Sequence, residues 1–156
     1  MQQHCPNPPL RLLCFDPGET TGWAYFVGGK LEGQGQVPTK EDFARNIEDL
    51  FVTLAPAYVV CEDYRVYAHR LQQHTYSDLM TPRVLGFIQG ACQLRAVPCS
   101  LQMAAVAKGF VTDDKLKAWN LYQRGMRHAN DAIRHGIFYL LFNHKKVLQM
   151  EAKANK

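Results

Sequence analysis

Leu10-Arg11-Leu12-Leu13-Cys14-Phe15-Asp16-Pro17-Gly18-Glu19-Thr20-Thr21-Gly22-Trp23-Ala24 is the stretch on which the reading of this chain turns. An apolar run of strand length, residues 10–15, stops at an acid, and a Pro-Gly turn follows at once. Residues 23–27 and 30–33 then read as a hairpin, because the intervening Gly28-Gly29 accepts the positive φ angles of tight turns. The alternation continues through residues 34–37 as a third strand, twisted or bulged at its glycines. Thr39 reads as the N-cap of a helix with Glu41 and Asp42 in its first turn. Phe43, Ile47, Leu50, Phe51 and Leu54 give that helix one apolar stripe, and Pro56 stops it.

A second apolar run, Ala57-Tyr58-Val59-Val60-Cys61, again ends on an acid, Glu62. Residues 63–76 mix bases and aromatics without a clean period and read as an exposed loop. A helix is expected over 81–95 with Pro82 in its first turn, then a short fifth strand over 97–101. Helical stretches follow over 103–107, 113–122 and 128–142, and a polar tail closes the chain. Strand, strand, strand, then alternating helix and strand, then helices, predicts an α/β fold: a mixed five-stranded sheet, its first three strands antiparallel, with helices on both faces. No internal repeat or linker appears. We assign 1–143 to a single domain and 144–156 to a basic C-terminal tail.

At 156 residues, 47% hydrophobic and 21% charged, the chain has ordinary globular usage. No apolar run approaches the roughly 20 residues that span a bilayer, and residues 1–9 have neither the basic start nor the apolar core of a secretion signal. A cytoplasmic protein with no membrane association is therefore expected, in a bacterial cell or a virus-infected host cell. The five cysteines, Cys5, Cys14, Cys61, Cys92 and Cys99, show no metal-binding spacing and read as reduced and structural. A net charge of +4 and a pI near 8.8 permit an anionic partner without demonstrating one.

Three acids carry the chemistry. Asp16 and Glu62 each end a buried run, and Asp131 sits in His128-Ala129-Asn130-Asp131-Ala132 at the head of the last helix. Each has an ordinary reading alone: a turn aspartate, a strand end reaching solvent, an acid complementing a helix dipole. Together they say more. Parallel neighbouring strands put their carboxyl ends on one side of a sheet, so Asp16 and Glu62 would converge, and carboxylates so placed are costly unless paired or bound to a hard cation. At about 100° per residue, His128, Asp131 and His135 fall within roughly 60° of one another on one helix face, with Ile133, Ile137, Leu140 and Leu141 opposite. His135 reads as a surface residue hydrogen-bonded to Asp131.

At these residues the chain resembles the RuvC family of Holliday junction resolvases, within the RNase H-like superfamily. The matching pieces are residues 13–24, Val59-Val60-Cys61-Glu62 and His128-Ala129-Asn130-Asp131-Ala132, in the family's order and spacing from about Leu10 to Phe142. The resemblance implies a crossover junction endodeoxyribonuclease acting on branched DNA. A homodimer is expected because two sites related by a two-fold axis would match the symmetry of a four-way junction, with the apolar helix over 81–95 as the candidate interface. Asp16, Glu62 and Asp131 would be metal ligands and His128 the fourth catalytic residue, as ligand or as proton handler. The implied cofactor is Mg2+, with Mn2+ as a substitute, two ions per site: Asp16 bridging, Glu62 and Asp131 holding one each. It also places Lys108 and Lys115 near scissile-strand phosphates. The chain departs from the family after Glu62, where Arg65, flanked by Tyr64 and Tyr67, stands near the position of a junction-wedging aromatic. Tyr64, Arg65, Tyr67, His69, Arg70, Lys108, Lys115 and Lys117 are the expected nucleic-acid contacts. A nuclease of this fold acting on RNA or flaps, and a binding module without catalysis, are the alternatives. The Asp16-x-Gly18-x-Thr20 spacing also resembles a sugar-kinase or actin-like phosphate loop, but those folds need two such domains and well over twice this length.

Overall fold

The computed structural model describes residues 8–65 and 79–145. Strands β1 (Arg11–Asp16), β2 (Thr20–Val27), β3 (Lys30–Pro38), β4 (Tyr58–Glu62) and β5 (Cys99–Gln102) form one sheet in the order β3-β2-β1-β4-β5. The first three are antiparallel; β4 runs parallel to β1 and to β5. Helices α1 (Phe43–Leu54) and α2 (Met80–Leu94) follow β3 and β4. After β5 come α3 (Ala104–Phe110), α4 (Asp113–Ala118) and α5 (Arg127–Phe138), which runs into a π-helical turn at Tyr139–Asn143. This is the mixed five-stranded α/β sheet that the sequence predicts. Among the described residues no helix is long and apolar enough to cross a membrane.

The period-two geometry of strands splits the core by residue parity. Leu13, Phe15, Val59 and Cys61 pack under α1 and α2 with Ile47, Phe51, Val84 and Ile88. Leu12, Cys14, Tyr58 and Val60 face the other way, against Val111, Leu116, Ala132, Ile133 and Tyr139. Asp16 and Glu62 share the parity of this second set, so both belong to the α5 face. The register Cys14↔Val60 and Phe15↔Cys61 sets them side by side at the next step. Leu12, Leu13, Phe15, Val59 and Val60 have no exposed surface. At about 1.5–3 kcal/mol for each large apolar side chain, the two strands are anchored firmly enough to hold acids at their ends.

Helix α5 lies unusually close to the sheet because two glycines let it. A Cβ on Gly22, which pairs with Asp16 across the ladder, would stand 1.9 Å from the His128 carbonyl oxygen. One on Gly136 would stand 2.2 Å from Phe26 and 2.9 Å from Cys14 Sγ. Gly22 therefore lets the head of α5 settle beside Asp16.

Several element ends differ from expectation, each for a visible reason. Thr39 does not cap α1. It is buried, donating its hydroxyl to the Gly18 carbonyl, and its oxygen lies 3.0 Å from Thr21 Oγ1, so it ties down the turn after Asp16. The helix starts instead at Phe43, after Asp42 in the left-handed region, with no acid in its first turn. Helix α4 stops at Ala118 rather than Tyr122, because Asn120 (φ 57) reverses the chain while the amides of Leu121 and Asn120 bond the carbonyls of Leu116 and Lys117, a Schellman closure. Helix α2 ends the same way around Ala96. The four described cysteines are free, as expected. From residue 66 onward the expected loop after Glu62, with Tyr67, His69 and Arg70, lies outside the described residues, as do Cys5 and residues 146–156 of the tail.

Gly22→Ala is expected to cost at least about 2 kcal/mol, because its methyl meets backbone that cannot step aside. Gly109→Ala, on the exposed surface of α3 with nothing within 4 Å of the added carbon, should be neutral or stabilising by up to about 1 kcal/mol. Denaturant midpoints of the two variants, at unchanged m-value, check both.

Candidate active site

Asp16 and Glu62 stand at the carboxyl ends of neighbouring parallel strands, and Asp131 reaches the same place from the second turn of α5. Lys108, in the last turn of α3, joins all three. Its Nζ lies 2.9 Å from Glu62 Oε2, 3.0 Å from Asp131 Oδ2 and 3.8 Å from Asp16 Oδ1. Asp16 and Asp131 are buried, at 5% and 4% exposure. Carboxylates this close repel and lose hydration, so the ammonium is what lets them stay together.

Each acid also has a brace of its own. His128 Nδ1 is 2.7 Å from Asp16 Oδ2, and its backbone N–H donates to Gln36 Oε1 of β3 at 2.9 Å, which fixes the entry to α5. Arg134 donates to Asp131 Oδ1 and to Asp113 Oδ1, and its Nε to the Val111 carbonyl at 2.9 Å, tying α5 to the segment between α3 and α4. His135 Nε2 is 2.9 Å from Glu62 Oε2, and its Nδ1 is 3.0 Å from Gln102 Oε1. Asn130 clamps the segment before α5, accepting from the Gln123 amide and donating to the Gln123 carbonyl, both at 2.8 Å.

These contacts set the protonation balance. Burial pushes the Asp16 carboxyl above its ordinary value, against the lowering hydrogen bond from His128. Burial would raise Glu62 too, but hydrogen bonds from His135 and Lys108, with the lysine's charge, bring it down to about 2. The hydrogen bond with Asp16 raises the His128 imidazole above its ordinary 6.5. Burial works against the Lys108 ammonium, yet the surrounding acids hold its pKa above the usual lysine value.

The structure thus brings together Asp16, Glu62, Asp131, His128 and Lys108. It does not bring Lys115 and Lys117 among the acids: on α4, Lys115 Nζ donates to the Phe110 carbonyl at 2.6 Å, and Lys117 Nζ lies 5.1 Å from the Tyr122 ring centre. Tyr64 packs against the α1–α2 core, and the exposed Arg65 pairs with Asp63 at 3.1 Å. His135 is not a surface residue bonded to Asp131. It has no exposed surface and serves Glu62 instead, because α5 lies so low on the sheet that its acid-bearing face is also buried. Gln102 and Arg134 drew no notice in the sequence. The available signal for Gln102 was strand register, since it pairs with Glu62 and shares its parity.

Asp16, Glu62 and Asp131 supply hard oxygen donors from three separate elements, the chemistry suited to magnesium or manganese. Among the described residues no three His, Cys, Asp or Glu side chains form a ready cage; the Lys108 ammonium stands where the three carboxylates converge. The donor set fits a divalent cation that takes over the ammonium's partners.

No protein-family profile and no curated protein matches the chain. Solved structures do. RuvC of T. thermophilus, in complex with a Holliday junction substrate, superposes with a TM-score of 0.66 at 14% identity, over 86% of this chain and 96% of that one. The fowlpox virus Holliday junction resolvase gives 0.56 at 13% identity, over 85% and 98%. The yeast mitochondrial Holliday junction resolvase gives 0.55 at 10% identity, over 86% and 79%. The fold is that of the RuvC-like resolvases, of RNase H-like architecture.

Proposed function

We propose that this chain is a metal-dependent, structure-selective endodeoxyribonuclease that hydrolyses phosphodiesters at four-way DNA junctions. One observation carries the reading: carboxylates from β1, β4 and α5 converge on a single cationic point, each braced by its own partner, in a RuvC-like fold. A purely structural ion cluster would not need three acids around one lysine.

Hydrolysis requires an in-line water, a proton acceptor for it, and relief of charge on the attacking and leaving oxygens. Asp16, Glu62 and Asp131 would hold magnesium or manganese, which when bound would relieve charge on both oxygens. Lys108 would offer its ammonium to the scissile phosphate as a point charge. With Nδ1 committed to Asp16, His128 offers its Nε2 to water, and the carboxylate behind it strengthens the ring as a base. Lys115, Lys117 and Arg65 would contact flanking phosphates.

The same reading makes the working unit a dimer, since a four-way junction is two-fold symmetric and two related sites would match it. The proposed interface is the outer face of α2. A groove of about 670 Å³ there is lined by Gly86, Phe87, Gly90, Ala91 and Leu94, and Leu94 is 88% exposed. The small residues admit a close partner helix.

Asp16→Asn, Glu62→Gln and Asp131→Asn are each expected to abolish cleavage while leaving folding and junction binding in place. Magnesium-dependent assays on four-way junctions, flaps, RNA–DNA hybrids and plain duplex check this. Preferred cleavage of flaps or hybrids would move the substrate assignment, and binding without cleavage by the wild type would leave only a binding module.

In metal-free buffer, stability should follow the shifted groups. Glu62 is depressed from 4.5 to about 2, so its contribution is present above 4.5 and is lost as pH falls toward 2. His128 is raised above 6.5, so its contribution is full below 6.5 and is lost as pH rises through the folded value. Wild type should therefore converge with Glu62→Gln on the acid side and with His128→Ala on the alkaline side, measured as denaturation midpoint against pH. Sedimentation should show a dimer that Leu94→Arg splits; a wild-type monomer both with and without junction DNA would refute the dimer.

A further inference from the structure

His135 is an imidazole with no exposed surface, seated between a carboxylate and an amide. Packing alone does not call for it. Its buried neighbours on α5 include Ala132, Ile133 and Gly136 as well as Asp131 one turn back, and an apolar side chain would satisfy the packing. Burying an imidazole is costly unless both nitrogens find partners, so the residue is best understood through what it does for Glu62.

The hydrogen bonds fix its orientation. An ionised Glu62 only accepts, so His135 Nε2 carries a proton toward it. Gln102 meets the other ring nitrogen, its Oε1 3.0 Å from Nδ1. The backbone holding Gln102 is fixed, since its carbonyl accepts the Asp63 amide at 2.7 Å and its strand pairs with β4 at Glu62. The contacts run from Gln102 to His135 to Glu62.

We propose that His135 is a positioning residue. As an Nε2–H donor oriented by Gln102, it holds the Glu62 carboxylate facing Asp16 and Asp131, so that a divalent cation would meet a prearranged ligand. The inference rests on the functional reading above, in which these acids hold metal. His135 itself touches neither cation nor substrate.

The first test is spectroscopic and needs no activity. Nitrogen-15 NMR of the metal-free protein at neutral pH should show His135 with a protonated Nε2; a bare Nε2 would overturn the proposal. The second is manganese binding by calorimetry without DNA. His135→Leu should weaken affinity about 10- to 100-fold, the usual effect of losing a partner behind a ligand. His135→Gln, whose own N–H can reach Glu62, should recover most of it, and Gln102→Met should fall between. Circular dichroism confirms folding of each variant. Should His135→Leu not fold, the order wild type, His135→Gln, Gln102→Met still decides, with equal affinities in all three overturning the idea. A folded His135→Leu that binds manganese like wild type overturns the positioning role alone. A wild type that binds no manganese overturns the functional reading and this inference with it.

Discussion

Everything around the site follows from the cost of putting three carboxylates within reach of one ammonium at the edge of a dry sheet. Asp16 and Asp131 are almost fully buried, where repulsion is strong and hydration is gone. Lys108 answers the charge, and His128, His135 and Arg134 each answer one acid. The balance is not uniform. Burial wins at Asp16 and raises its carboxyl, while the donors win at Glu62 and lower it. Two neighbouring acids with opposite shifts show how unevenly burial and donors are spread over the site.

That arrangement depends on how closely α5 can approach the sheet. Gly22 and Gly136 remove the side chains that would hold the helix off, and the strands beneath supply the apolar anchorage. The close approach explains why His128 can reach Asp16 while His135, two turns along, drops between β4 and β5. A helix a few ångströms higher would leave His135 at the surface and Glu62 without its donor.

How much of this could be read from the chain depends on how local each signal is. Strand ends at Asp16 and Glu62 were legible because apolar runs and turn residues are local, and the helix face joining His128 to Asp131 because helical period is local. The parallel pairing of β1 with β4 followed from fold class. Thr39 was misread because capping chemistry and tertiary hydrogen bonding use the same hydroxyl, and only the folded chain shows Gly18 and Thr21 waiting for it. His135 was misread for a related reason: its angular position on the helix was right, but angle does not say how deep a face lies. Gln102 was silent because its partner is 33 residues away and a polar residue there looks like ordinary surface; Arg134 was open to a helical-spacing reading toward Asp131, three residues back, but not toward Asp113, 21 residues away.

Depth also separates the basic residues. Lys108 is held by three acids, whereas Lys115 and Lys117 rest on aromatic faces at the surface, with partners that cost little to leave. On the function proposed above, the three acids would hold the metal and Lys108 would be left to meet a phosphate. In the metal-free protein the same lysine keeps the acids from flying apart. One side chain thereby carries the charge balance of the site, and no second residue in the described chain touches all three acids.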